Sequence, residues 1–137
     1  NLGLDAVKNK VEFYQGDACN LKPIYTGYDL ILAANLIDRL YEPSKLLTTI
    51  HERVIKGGLL MITSPYTWLE EHTKKEEWVG GFKENGENVS TLDGLKKVLN
   101  SHFKLIQGPQ ALPFVIRETS RKFQHTLSEV TIWEKID

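Results

Sequence analysis

"YDLILAAN", residues 28–35, decides the fold. It is a continuous apolar run of strand length between polar flanks. A strand with one wet face alternates, whereas an unbroken run marks a strand covered on both faces, as in a parallel sheet. The next thirty residues fit that reading. Pro43 and Ser44 open a helix in which Leu46, Leu47, Ile50, Val54 and Ile55 recur at helical spacing, and Gly57-Gly58 ends it. "LLMITSP", 59–65, is a second buried strand. Residues 28–65 therefore read as one βαβ unit, right-handed by default.

Outward from this unit the pattern continues. "VEFYQGD", 11–17, alternates and is rich in β-formers, so a strand is expected to end near Asp17. "YTWLEEHTKKEEWVGGF" is polar with embedded aromatics and reads as short helical turns and loop. Thr91 is placed to cap a helix carrying Leu95, Val98, Leu99 and Phe103 on one face. "FKLIQ", 103–107, and "EVTIWEK", 129–135, are the last two strands. The order β, β-α-β, α-β, β predicts an open α/β sheet.

The totals bound the rest. A chain of 137 residues, 41% hydrophobic and 26% charged, suits one globular domain. A net charge of −1 gives no bulk electrostatic case for nucleic acid or a membrane surface. No apolar run approaches the roughly 18 residues of a membrane span. The single cysteine, Cys19, excludes an internal disulfide and fits a reducing cytoplasm. The four histidines (51, 72, 102 and 125) are scattered without ligand spacing, so no metal is expected. The chain opens at Asn1 rather than at a methionine and is expected to be a fragment or a processed product.

In open α/β sheets ligands bind outside the carboxyl ends of the strands. That rule selects Asp17, Asn35 and the "SPY" at 64–66. It also selects the stretch 108–128, read as the connection between the last two strands. There "PFVIRETSRKFQH", 113–125, feeds an apolar run into five ionisable groups, where Arg117 and a carboxylate such as Glu118 would grip a zwitterion.

"VEFYQGDACNL", "YDLILAANLIDRL" and "GGLLMITSP" together resemble the central part of class I S-adenosylmethionine-dependent methyltransferases. The resemblance implies a Rossmann-like sheet, mostly parallel with an antiparallel last strand, in the order third, second, first, fourth, fifth, seventh, sixth. It places Asp17 and Ala18, with the adjacent Cys19, beside the cofactor's adenine, and Asn35, Leu36 and Asp38 beside its methionine moiety and the acceptor. Taken alone, Asp17 also reads as a turn former, Asn35 as a strand-end cap, Asp38 with Arg39 as a local ion pair, and Cys19 as a small buried residue.

The later stretches "SPYTWLEEHT", "EEWVGGF" and "LPFVIRETSRKFQHTLSEVTIW" resemble the C-terminal methyltransferase domain of ovothiol synthases. That resemblance implies N-methylation of the imidazole of a mercaptohistidine, a histidine-derived thiol, by direct displacement at a sulfonium methyl. In full-length members the domain follows an iron-dependent sulfoxide synthase. On this reading Tyr66 and Trp68 wall the imidazole, Glu70 takes an ammonium group, Arg117 holds a carboxylate and His125 contacts the substrate. The competing readings are core aromatics for Tyr66 and Trp68, and a salt bridge to Glu118 or Glu70 for Arg117.

The sequence departs from the class I pattern in one respect. It holds no G-x-G, so the first two strands and their glycine-rich loop have no counterpart, and residues 1–137 match only the C-terminal portion of such a domain. Those strands lie between the third and fourth. Without them "YDLILAAN" shows a bare apolar edge, and "VEFYQGD" either pairs elsewhere or leaves the sheet. The edge is expected to associate, giving a homodimer. The rival readings are a non-catalytic Rossmann-like piece, a nucleotide-binding oxidoreductase, and a class I methyltransferase of another small molecule.

Overall fold

The computed structural model describes residues 4–137. Its centre is a four-stranded mixed sheet built from β1 (Tyr28–Ala34), β2 (Val54–Ser64), β5 (Phe103–Arg117) and β6 (Phe123–Lys135), in the order β1-β2-β6-β5. A small hairpin, β3 (Phe82–Glu84) with β4 (Glu87–Val89), stands apart. β1 and β2 are parallel, while β6 is antiparallel to both β2 and β5. Three strands thus point one way and β6 opposes them. "Mostly parallel" holds for direction only, since two of the three ladders are antiparallel. The order is the one the resemblance implies for its last four strands.

The βαβ unit forms as expected, with a shorter helix. α1 covers Pro43–Thr49, a 3-10 turn takes Ile50–Glu52, and β2 begins at Val54. Val54 and Ile55 are strand, not helix. Thr48 and Thr49 each donate their hydroxyl back to the carbonyl four residues earlier, at 2.7 Å, which weakens a helix at its end. A bulge interrupts the ladder beyond: Tyr28 faces Val54, but Leu30 already faces Leu59. Gly57, at φ 76°, supplies the left-handed residue there.

Ile31, Ala33, Leu60, Ile62 and Trp133 share one sheet face, which packs on Leu46, Leu47 and Ile50 of α1 and on Leu95 and Leu99 of α2 (Thr91–Leu99). The cap of α2 is Ser90, whose Oγ accepts from the Asp93 amide at 3.1 Å. Thr91 is the first helical residue instead, and its Oγ1 accepts from Trp68 Nε1 at 3.0 Å.

Two sequence readings are corrected. Residues 11–17 form no strand and lie exposed, with Phe13 91% accessible. A strand needs a ladder partner, and among the described residues the outer edge of β1 has none. Residues 108–128 are not a connecting loop. They are the arms of one long hairpin, β5 paired with β6 from Phe103↔Lys135 to Arg117↔Phe123. Gly108, at φ 106°, sits at an irregularity in this ladder, where a Cβ would lie 2.5 Å from the Val130 carbonyl oxygen. β2 stops at Ser64, opposite Glu129. The hairpin therefore overhangs the carboxyl edge of the sheet by six residues, about 20 Å.

Candidate functional site

Two concavities meet at the end of β1. One opens on its bare edge, with a volume of about 380 Å³ and an almost wholly apolar lining that includes Ala18, Leu21, Leu30, Ile31 and Leu36. The other, about 210 Å³, lies on the carboxyl edge beneath the hairpin overhang. It is lined by Asn35, Asp38 and Arg39, by Pro65 and Thr67, and by Phe114, Ile116, Gln124 and Thr126 of the hairpin.

Asn35 sits at the hinge between the two. Its φ of 48° is left-handed, a conformation asparagine tolerates better than most residues. Its amide nitrogen donates to the Thr63 carbonyl at 2.8 Å. Its side-chain Oδ1 accepts from Ser128 Oγ at 2.6 Å and from Thr63 Oγ1 at 3.2 Å. The strand-end cap and the crevice position are therefore both realised in one residue. Its neighbour Leu36 lines the apolar cavity instead.

Asp38 is 1% exposed and fully engaged. Oδ1 accepts from Ser64 Oγ at 2.8 Å, and Oδ2 accepts from the Thr67 amide at 3.1 Å and from Arg39 Nη1 at 3.0 Å. The local ion pair is present. A carboxylate so held orders the loop after β2 rather than standing free for a ligand.

Asp17 caps the 3-10 turn Ala18–Asn20 through the Cys19 amide, and its second oxygen accepts from Tyr41 Oη at 2.9 Å. That bond to a carboxylate pushes the Tyr41 pKa up to about 12. Both Asp17 oxygens are thus engaged within the chain. Cys19 is buried, its Sγ 3.3 Å from the Glu42 carbonyl oxygen. Ala18 alone of this trio lines the edge cavity.

The loop after β2 alternates. Pro65 and Thr67 line the crevice, while Tyr66 and Trp68 do not. Tyr66, at φ 53°, sends its hydroxyl to Glu129 Oε1 at 2.9 Å; burial, reinforced by that carboxylate, raises its pKa. Trp68 is buried, bonded to Thr91, with its ring centroid 6.3 Å from that of Trp78. These aromatics hold the loop and do not wall the crevice, and Glu70 is exposed on the turn beyond.

The hairpin alternates in the same way. Phe114 faces Thr126 and Ile116 faces Gln124 across the ladder, and all four line the crevice. Val115 faces His125 and Arg117 faces Phe123, so these lie on the opposite face. Arg117 and His125 are turned away from the crevice. Arg117 Nε donates to the Thr119 carbonyl at 3.1 Å, and Glu118 pairs with Lys122 at the tip. The charge in this stretch is the solvated end of a hairpin, and its apolar lead-in is the wall.

The crevice residues missed in the sequence are Thr67, Phe114, Ile116, Gln124 and Thr126. The usable signal was period-two alternation in "PFVIR" and "FQHTL", hidden until the two segments are paired as neighbours. Among the described residues no group of three His, Cys, Asp or Glu side chains is arranged to hold a metal, and no helix is long and apolar enough to cross a membrane.

Comparison with known proteins gives a fold. No family model matches the sequence, and neither does any curated protein. Solved structures do match. A SAM-dependent methyltransferase from Methanosarcina mazei superposes with a TM-score of 0.56 at 18% identity, over 91% of this chain and 67% of that one. The chain shares the α/β fold of that structure, with a mixed sheet. A structure described in terms of the conversion of a disulfide bond into a thioacetal group during echinomycin biosynthesis gives 0.57 at 13%, over 96% and 60%. A protein of Pyrococcus horikoshii OT3 gives 0.52 at 16%, over 96% and 64%. The chain thus spans between 60% and 67% of the length of these structures.

Proposed function

We propose that this chain is the carboxyl-terminal part of a small-molecule methyltransferase domain that uses S-adenosylmethionine. The observation that carries the reading is the pair Asn35–Leu36, adjacent residues that face two different concavities. A methyl transfer needs donor and acceptor in adjoining sites open to one another, so that nucleophile, methyl and sulfur line up. The fold likeness supports the same reading.

The described residues fit one end of the cofactor. The edge cavity, with Ala18 and Leu36 on its wall, suits a flat base. Asp17, bonded to Tyr41 and Cys19, offers that base no free oxygen. Nothing among the described residues grips an amino acid moiety there. When bound, the cofactor supplies an electrophilic methyl. This chain's residues supply the shape of the acceptor site: Phe114 and Ile116 exclude water, and Asn35 fixes the boundary. A neutral imidazole nitrogen already offers a lone pair, so no residue is assigned as a base.

Within this reading the acceptor is a mercaptohistidine, supported by the resemblance of "SPYTWLEEHT" and "LPFVIRETSRKFQHTLSEVTIW". A second reading, a non-catalytic piece that keeps the sheet, is favoured by the apolar lining of the edge cavity. Calorimetric titration with S-adenosylhomocysteine separates the two. One-to-one binding supports the methyltransferase; no heat up to millimolar concentration supports the non-catalytic piece. Transfer of a labelled methyl to mercaptohistidine, and not to histidine, tests the acceptor.

A further inference from the structure

We infer that the crevice under the hairpin binds a small flat molecule through its carboxylate, with Arg39 as the anchoring residue. This deepens the methyltransferase reading and rests on it for the identification of the occupant as the acceptor.

Among the described residues Asp38 and Arg39 are the only charged groups lining the crevice, and they are unequally placed. The carboxylate is buried, with both oxygens occupied from within the chain. The guanidinium side chain is 39% exposed. Only its Nη1 is engaged, with Asp38 and with the Thr67 carbonyl at 2.8 Å. Nε and Nη2 have no partner among the described residues. An entering ligand therefore meets free guanidinium N–H groups beside a carboxylate already engaged within the chain.

The rest of the lining agrees. The Asn35 side-chain oxygen takes two hydroxyl donors, which directs its NH₂ elsewhere. Gln124 adds a second amide. Pro65, Phe114 and Ile116 add apolar surface, Ile116 beside Gln124 on the same hairpin face. A fork of N–H groups fixed by Asp38 suits a carboxylate, which it grips with two parallel bonds. The Thr67 carbonyl and Asp38 hold that fork in place, so little freedom is lost on binding.

The test uses two probes of one shape, phenylacetate and phenylacetamide, titrated into the full chain without cofactor and followed by heteronuclear NMR. The expected result is a saturable shift of the Arg39 Nε–H and Asn35 side-chain amide signals, with phenylacetate at least about tenfold the tighter probe. Arg39→Gln is expected to bring the two probes to parity. Because Arg39 also holds the loop, Gln124→Glu serves as the second variant. It removes none of the Asp38–Arg39–Thr67 groups, sets a negative charge on the crevice wall, and is expected to weaken phenylacetate about tenfold more than phenylacetamide. Equal affinity of the unaltered protein for both probes overturns the inference. So does shift confined to residues outside the crevice, or an unchanged preference in Gln124→Glu. Carboxylate preference without S-adenosylhomocysteine binding supports the anion site and sinks the methyltransferase; the reverse pattern sinks the anion site alone.

Discussion

Ser128 donates its hydroxyl to Asn35 Oδ1 at 2.6 Å across 93 positions of sequence. The bond ties the end of β1 to β6, a strand with which β1 shares no ladder. The bond fastens the root of the hairpin overhang to the end of β1, beside the crevice.

Asn35→Ala is therefore expected to destabilise the fold by about 2–3 kcal/mol, the sum of two orphaned hydroxyls and an alanine in a left-handed conformation. Asn35→Gly should recover about 1 kcal/mol of that by relieving the backbone strain. Urea unfolding measures both, and equal stability of the two variants would show that the backbone term is absent.

Asp38→Ala is expected to cost about 3 kcal/mol, because it strips a buried group that three donors share and leaves Arg39 without its counter-charge. Arg39→Ala should cost less, since its side chain reaches solvent. Reversal of that order in chemical denaturation would contradict the buried-anchor role of Asp38.

Much of this was legible in the sequence, and the rest was hidden for physical reasons. The βαβ unit could be read because buried strands have no polar positions to interrupt them. The long hairpin could not, because Pro109 and Pro113 lie in β5 and proline ordinarily ends a strand. β5 is the edge strand of the sheet, where a missing N–H costs no ladder bond. The site residues were missed by one place twice. Tyr66 and Trp68 were chosen where Pro65 and Thr67 line the crevice, and Arg117 and His125 where Ile116 and Gln124 do. In the extended arms of the hairpin a one-residue error reverses the face. Residues 11–17 have the composition of a strand, but composition cannot supply a partner.

The Tyr41–Asp17 bond makes a pH prediction. A phenol whose folded-state pKa is raised to about 12 contributes stability that is fully present below its unfolded value near 10. That stability is lost as pH rises from about 10 through 12, because the folded state then holds a proton the unfolded state has released. Ultraviolet titration should place one tyrosine near 12, and Asp17→Asn should lower it. A Tyr41 that titrates normally with Asp17 in place would rule the bond out in solution.

The bare edge of β1 carries a prediction about assembly. Leu30 and Leu32 are 53% and 56% exposed, and residues 30–34 hold no charge or proline to discourage pairing. An antiparallel pairing centred on Ile31 would set Leu30 of one copy opposite Leu32 of the other. We propose that a second copy takes this edge in the cofactor-free chain, so that S-adenosylhomocysteine and dimerisation compete. Sedimentation should show a dimer that Leu32→Lys disperses; a strict monomer at the highest soluble concentration would refute the proposal.

A cofactor and an acceptor are proposed to occupy the two sides of the Asn35–Leu36 pair. The most direct test of that arrangement is to map S-adenosylhomocysteine on the chain by backbone amide shifts. Saturable shifts are expected at Ala18, Asn35 and Leu36, with Phe114 and Gln124 unmoved. Shifts that miss the β1 edge, or none at millimolar ligand, would contradict it.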